Sequence, residues 1–296
     1  MYFIVLSAIL FVDAKSESLV EKTFNSYSTL SEGIQTMEVK ANVELANNGT
    51  TSKYTLHYYR SQDQEKINYL NEKEQVFFTS IRDKGVYSVY PVNPSGKQKL
   101  GTIQQYLGYD LCDSDIWSDL GFRQHNRLNE NYKKNKDKHP FAKFDAREMD
   151  KLSNVAGKGV SIKEIRGPMT HWLEFSDRYN QYCTYSRYEI VFNDKDIRSS
   201  SINRTKFKDF GNGLYLPMEV DFQSKIDLTG QITSSKKYKI TKLLVNESLP
   251  KDCFVFQFPG NVTVDDFIKK IRYKTDEKGN ASGPVQDLPK VPAPKQ

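Results

Sequence analysis

The feature that most constrains this chain is a switch in hydrophobic period after Gly33. From there Met37, Val39, Ala41, Val43 and Leu45 alternate with Glu38, Lys40, Asn42 and Glu44. Period two puts the first set on one face of a strand and the second on the other. Asn47-Asn48-Gly49 supplies a turn, and Tyr54, Leu56 and Tyr58 then alternate against Lys53, Thr55 and His57. Two alternating runs around an Asn-Gly turn predict a long hairpin with one buried face. Upstream, Leu19, Val20, Phe24, Tyr27 and Leu30 recur at spacings of mostly three and four, which predicts a helix over 16–34.

The same reading extends along the chain. Strands are expected at Lys66–Leu70, Gln75–Arg82 and Val86–Tyr90, then at Val160–Ile165, His171–Phe175, Tyr185–Phe192, Arg198–Phe207, Met218–Phe222 and Tyr238–Val245. Turn residues separate them, among them Gly157-Lys158-Gly159, read as a hairpin turn. Residues 102–121 break the rhythm: Ile103, Tyr106 and Leu107 are helically spaced, and Asp113-Ser114-Asp115 can cap a short helix bearing Ile116, Trp117 and Leu120. Residues 129–151 are highly charged and read as a solvated loop with a helical piece near Asp145–Leu152. Thr263–Tyr273 is expected to be a short helix. Lys274–Gln296 holds four of the 11 Pro and few large apolar residues, and is expected to be a disordered tail. Between 30 and 270 no Pro- or Gly-rich linker appears, so residues 15–273 are expected to form a single domain. Tyr and Phe supply 35 of 37 aromatic residues, which suits a pleated, half-buried surface.

Residues 2–12 are an uncharged apolar run, and Val12-Asp13-Ala14 places small residues at a cleavage site after Ala14. This is the pattern of a signal peptide at 1–14, although no basic residue precedes it, and the run is too short to span a bilayer. Export to an oxidising compartment leaves Cys112, Cys183 and Cys253 either with one disulfide and one thiol or as three buried thiols.

The motifs of catalysis are missing. The four His, at 57, 125, 139 and 171, have no metal-ligand spacing, and there is no nucleophile elbow, phosphate loop or dinucleotide fingerprint. Asp113, Asp115 and Asp119 fail the calcium-loop pattern, because Ser118 and Gln124 stand where Gly and Glu are required. The charge of +6 is not gathered into a basic stripe, so nucleic acid is not an expected partner. No enzyme, cofactor or metal is expected.

Four segments, in order, resemble the outer-membrane lipoprotein-sorting proteins of the LolA/LolB-like superfamily. They are Asp83-Lys84-Gly85-Val86-Tyr87-Ser88-Val89-Tyr90-Pro91, then Tyr106-Leu107-Gly108 with Asp113–Leu120, then Tyr188–Ile197, and Phe210–Pro217. The resemblance covers about residues 20–260. It implies a mainly β (α+β) fold, a curled antiparallel sheet forming an incomplete β-barrel with a helical plug or lid, and an apolar cavity for acyl chains. Val39, Val43, Tyr54, Leu56, Tyr58 and Tyr69 are the concave-face candidates, and Leu107, Ile116, Trp117 and Leu120 the candidates on the plug. An early-strand Arg latches the lid in that family. Arg60 stands at about that place, followed here by Ser-Gln-Asp rather than Pro. The implied function is a monomeric, non-catalytic periplasmic carrier of lipid or acylated lipoprotein, with inner- and outer-membrane transfer proteins as partners. The alternative is an envelope sensor on the same fold that binds lipid or a regulatory protein.

Overall fold

The structure is a computed structural model, and it describes residues 14–61, 64–84, 86–91, 100–105, 116–122, 142–193, 196–227 and 229–288. The predicted N-terminal helix is α1 (Ala14–Glu32). The alternating segment forms β1 (Met37–Asn47) and β2 (Thr50–Arg60). Their turn has Asn48 at φ 46° and Gly49 at φ 83°. Two successive left-handed residues match the twist of a two-residue hairpin, and Asn-Gly adopts them at little cost. There follow β3 (Gln64–Leu70), β4 (Val76–Asp83), β5 (Val86–Pro91) and β6 (Leu100–Gln105), then the one-turn helix α2 (Ile116–Asp119). The second half contains β7 (Ala142–Met149), β8 (Gly159–Arg166), β9 (Met169–Ser176), β10 (Tyr182–Asn193), β11 (Asp196–Asp209), β12 (Tyr215–Ile226) and β13 (Gln231–Val245). Three short strands end it: β14 (Thr263–Asp266), β15 (Ile271–Thr275) and β16 (Ala281–Asp287).

The fold is mainly β. Hydrogen bonding links the strands in the order β16-β15-β14-β6-β5-β4-β3-β2-β1-β13-β12-β11-β10-β9-β8-β7, an open sheet whose ends are β16 and β7 and which does not close into a barrel. Among the pairings whose register is described, all are antiparallel except β6 with β14. No helix among the described residues is long and apolar enough to cross a membrane.

Four readings of the sequence are corrected. Asp145–Leu152 is not helical; it is mostly β7, paired with β8 from Ala142↔Arg166 to Met149↔Gly159. Ile103 lies in β6, not in a helix. Thr263–Tyr273 forms β14 and the start of β15, joined across the pair by Arg272 Nε to Asp265 Oδ1 at 2.6 Å. The expected tail is ordered strand as far as Asp287. Its Pro284 is tolerated because β16 ends the sheet, where a missing N–H breaks no ladder. Residues 1–13 of the predicted signal peptide, Leu107 and most of the charged segment lie outside the described residues.

The chain divides into two compact units. The first comprises 1–34, 43–52 and 114–239, the second 35–42, 53–113 and 240–296. In the first, α1 packs its apolar stripe on β7 and β8, with Val20 and Phe24 buried. Phe24 meets Phe144 and Phe175 edge to face, at centroid distances of 6.4 and 6.2 Å. Burying two such side chains stabilises the docking by roughly 1.5–3 kcal/mol each. The Gly157-Lys158-Gly159 segment does connect two hairpin strands, with Gly157 at φ 122°. A Cβ on Gly159 would lie 2.0 Å from the Phe175 carbonyl oxygen. Gly159→Ala is therefore expected to destabilise the protein by about 1–3 kcal/mol, seen as a lower Tm in calorimetry, while Gly167→Ala, with open space around it, is limited to its backbone strain.

In the second unit, register fixes the faces. Leu56 opposes Tyr69, Tyr58 opposes Ile67, and Tyr69 opposes Phe78, so these side chains share one side. Phe258, Val262 and Val264 form a further core with Tyr90. Gly101 of β6 admits the Phe258 ring, which a Cβ there would meet at 2.2 Å.

Candidate functional site

In the first unit a buried polar clamp holds α2. A helix of one turn has no stability of its own, because nucleation costs more than its few hydrogen bonds return. One of its helical bonds runs from Leu120 N to Ile116 O, at 2.7 Å. Tertiary contact must supply the rest. Ile116, Leu120 and the adjoining Phe122 are fully buried, and Phe122 stands edge-on to Tyr182 at 5.6 Å.

The carbonyls at the end of a helix lack intrahelical partners. Here the sheet provides them. Arg204 Nε of β11 donates to the Asp119 carbonyl at 2.7 Å, and the Tyr182 hydroxyl of β10 donates to the Leu120 carbonyl. The Asp119 carboxylate accepts from Lys236 Nζ at 2.8 Å and from the Tyr238 hydroxyl at 2.6 Å, both on β13. The Lys236 and Asp119 side chains are only 8% and 13% exposed, so this ion pair is largely withdrawn from water.

Arg204 is wholly buried. Besides the Asp119 carbonyl its guanidinium approaches Cys183 Sγ at 3.7 Å, and its Nη2 has no hydrogen-bond partner among the described residues. A buried, unmet donor costs about 1–3 kcal/mol. Arg204 therefore positions α2 at the expense of stability. Cys183 and Cys253 are both buried free thiols. Burial pushes the Cys183 thiol up to about 11 despite the neighbouring Arg204 charge, so it is protonated at neutral pH.

His171 of β9, partly buried and edge-on to Tyr188 at 5.9 Å, also feels the Arg204 charge. Burial, followed by the Arg204 charge, depresses it to about 4. The unfolded chain binds this proton near pH 6.5 and the folded chain near 4, so protons favour unfolding below 6.5. Stability is expected to fall by about 2–3 kcal/mol between those values, and His171→Gln to flatten that part of the profile in urea titrations at stepped pH.

In the second unit Glu38 accepts from His57 Nε2 at 3.0 Å and from Lys242 Nζ at 2.8 Å. Burial raises the Glu38 carboxyl, but its bonds to Lys242 and His57 outweigh this and hold it below its ordinary range. Because Glu38 and His57 meet on one face, Val39, Leu56 and Tyr58 belong to the other, and all three are buried. Tyr54, half-buried, joins Tyr69 and Phe77 at 4.9 and 5.9 Å.

The candidates named from sequence thus fall in both units. Val39, Leu56, Tyr58 and Tyr69 are buried and Tyr54 half-buried in the second; Val43, Ile116 and Leu120 are buried in the first. Trp117 belongs to α2, and Leu107 lies outside the described residues. Arg60, the expected latch, pairs with Glu65, which also holds Arg82 Nη2 at 3.0 Å. In the first unit the guanidinium that bonds a helix backbone is Arg204's. Sequence reasoning passed over Arg204 and Lys236. The signal was their phase: Ile202 and Arg204, and Lys236, Tyr238 and Ile240, keep the buried register of their strands.

No family model and no curated protein matches the chain. Solved structures do. A DUF1329 family protein from Desulfovibrio piger aligns at TM-score 0.50 and 10% identity, over 80% of this chain and 97% of that one. The likeness is one of fold. A domain described as an outer membrane lipoprotein-sorting protein from Vibrio parahaemolyticus aligns at TM-score 0.49 and 10% identity, over 81% and 97%. A LolA superfamily protein from Nitrosomonas europaea aligns at 0.45 and 9%, over 80% and 98%. The fold drawn from the sequence, mainly β with a curled sheet that stops short of a closed barrel, agrees with the sheet described above.

Proposed function

We propose that this protein is a non-catalytic binder of acyl chains, carrying lipid or acylated lipoprotein across the periplasm toward the outer membrane. The observation that supports this reading is α2. It is a single helical turn that buries Ile116 together with the adjoining Leu120 and Phe122, held by side-chain bonds from three strands. Such an element can leave without unravelling a strand, and an acyl chain can replace it on the apolar surface it vacates.

Magnitudes decide which occupant wins. Re-exposing Ile116, Leu120 and Phe122 costs roughly 5–9 kcal/mol. An acyl chain returns ~0.8 kcal/mol per buried methylene, so about eight methylenes only break even and about fifteen leave a surplus of a few kcal/mol. A fluorescent fatty-acid displacement assay is expected to show binding of long-chain acids and none of short ones, and mass spectrometry of the purified protein to reveal acyl lipid. No co-purifying lipid together with no uptake of any chain length would sink the proposal.

A further inference from the structure

A second feature, in the second unit, faces solvent. The β14–β15 turn presents Phe267 and Ile268, each 47% exposed, followed by the exposed Lys269 and Lys270. The turn is built, not loose. Asp266, a residue only 3% exposed, accepts through its carboxylate from the backbone N–H groups of Ile268 at 3.0 Å and Lys269 at 2.9 Å, and Phe267 N donates to Ile103 O at 2.8 Å. The outward pose of an aromatic and a branched aliphatic side chain is therefore fixed by the fold.

The neighbouring turn extends this surface. β5 and β6 pair from Val86↔Gln105 to Val89↔Thr102, and β6 and β14 pair in parallel up to Ile103↔Asp266. The β4–β5 turn, with exposed Lys84 and Val86 at 39% exposure, thus lies at the same sheet end, roughly 10–15 Å away by strand spacing. The acids here are mostly engaged. Asp265 is bound by Arg272 at 2.6 and 2.8 Å, Glu65 by Arg60 and Arg82, and Asp266 by the turn's own backbone. Lys84, Lys269 and Lys270 make no ion pair among the described residues, and the carboxylates beside them are the exposed Asp287, opposite Ile271, and the partly buried Asp83, opposite Val86 in the β4–β5 turn.

We propose that this edge docks on an anionic lipid bilayer, with Phe267 and Ile268 entering the headgroup–acyl boundary and the three lysines on the anionic headgroups. A cationic collar around an apolar tip suits a surface that is apolar within and negative outside. It does not suit a second copy of the same tip, where lysine would face lysine. Docking of this kind is independent of acyl-chain binding by the first unit.

The test is co-sedimentation of the full chain with phosphatidylcholine vesicles lacking or containing phosphatidylglycerol. Binding is expected to be at least tenfold stronger to the anionic vesicles and to weaken with salt. Phe267→Ser with Ile268→Ser should weaken it at least tenfold on both, and Lys269→Glu with Lys270→Glu on anionic vesicles alone. All four positions are exposed, so the melting temperature should not move. Phe267→Trp should shift its emission to the blue on anionic vesicles. Failure to sediment with either vesicle, binding undiminished by the tip changes, or self-association abolished by them would each overturn the proposal. Acyl-probe uptake measured on the same variants separates this failure from that of the carrier reading.

Discussion

Arg204→Met is expected to keep the fold, leave the melting temperature unchanged or higher, and tighten long-chain fatty-acid binding by about tenfold or more. The two effects have separate causes. Arg204 is fully buried, no carboxylate pairs with it among the described residues, and one of its nitrogens has no acceptor. A buried charge held on such terms costs desolvation that its contacts do not return, and a methionine of similar reach removes the cost. The same change deletes the bond from Nε to the Asp119 carbonyl, a charged hydrogen bond worth about 1.5–3 kcal/mol. That bond exists only while α2 is seated. Where binding requires α2 to leave, apparent affinity scales with the fraction of molecules already open, and this energy corresponds to tenfold or more. Fluorescence titration of both proteins with one fatty acid measures it. Arg60→Met, whose partner Glu65 remains beside Arg82, should leave affinity unaltered. Equal or weaker binding by the Arg204 variant would show that Arg204 does not hold the closed state.

Much of this architecture is written in the sequence as alternation, and the departures have physical causes. The hairpin of β1 and β2 is legible because period two and an Asn-Gly turn say the same thing. β7 is not, because Ala146-Arg147-Glu148-Met149 are good helix formers, and only pairing with β8 makes them a strand. β14 hides behind Asp265 and Asp266, residues that disfavour strands. One is neutralised by Arg272 across the pair and the other is consumed in building the turn. β16 is masked by its Gly and Pro, which only an end strand tolerates. The clamp is concealed for another reason. A Lys or Arg in the buried phase of a strand reads as a surface charge until the segment that satisfies it is known. Asp119 lies 85 residues from Arg204 in sequence and 119 from Tyr238. No local pattern connects them.

Asp119→Asn is expected to be the most damaging single change in the clamp, at about 3–5 kcal/mol of stability. It removes the negative charge that meets the Lys236 ammonium at 2.8 Å in a site where the Lys236 side chain is only 8% exposed, and breaking a buried ion pair from one side costs more than the pair gains. Lys236→Met should cost less, because Asp119 keeps the Tyr238 hydroxyl at 2.6 Å as a donor. The double variant is expected to be more stable than Asp119→Asn alone, so the cycle should give a coupling energy above about 1 kcal/mol in urea unfolding. Additive losses would mean that the two side chains do not sense each other. Hydrogen exchange then distinguishes loss of the clamp from loss of the fold. In the double variant, Leu120, whose N–H bonds Ile116, should exchange faster, while the paired amides of β10 and β11 stay protected. Exchange that accelerates equally in both would mean that α2 comes away only when the sheet unfolds, and a plug that cannot move alone cannot exchange places with an acyl chain.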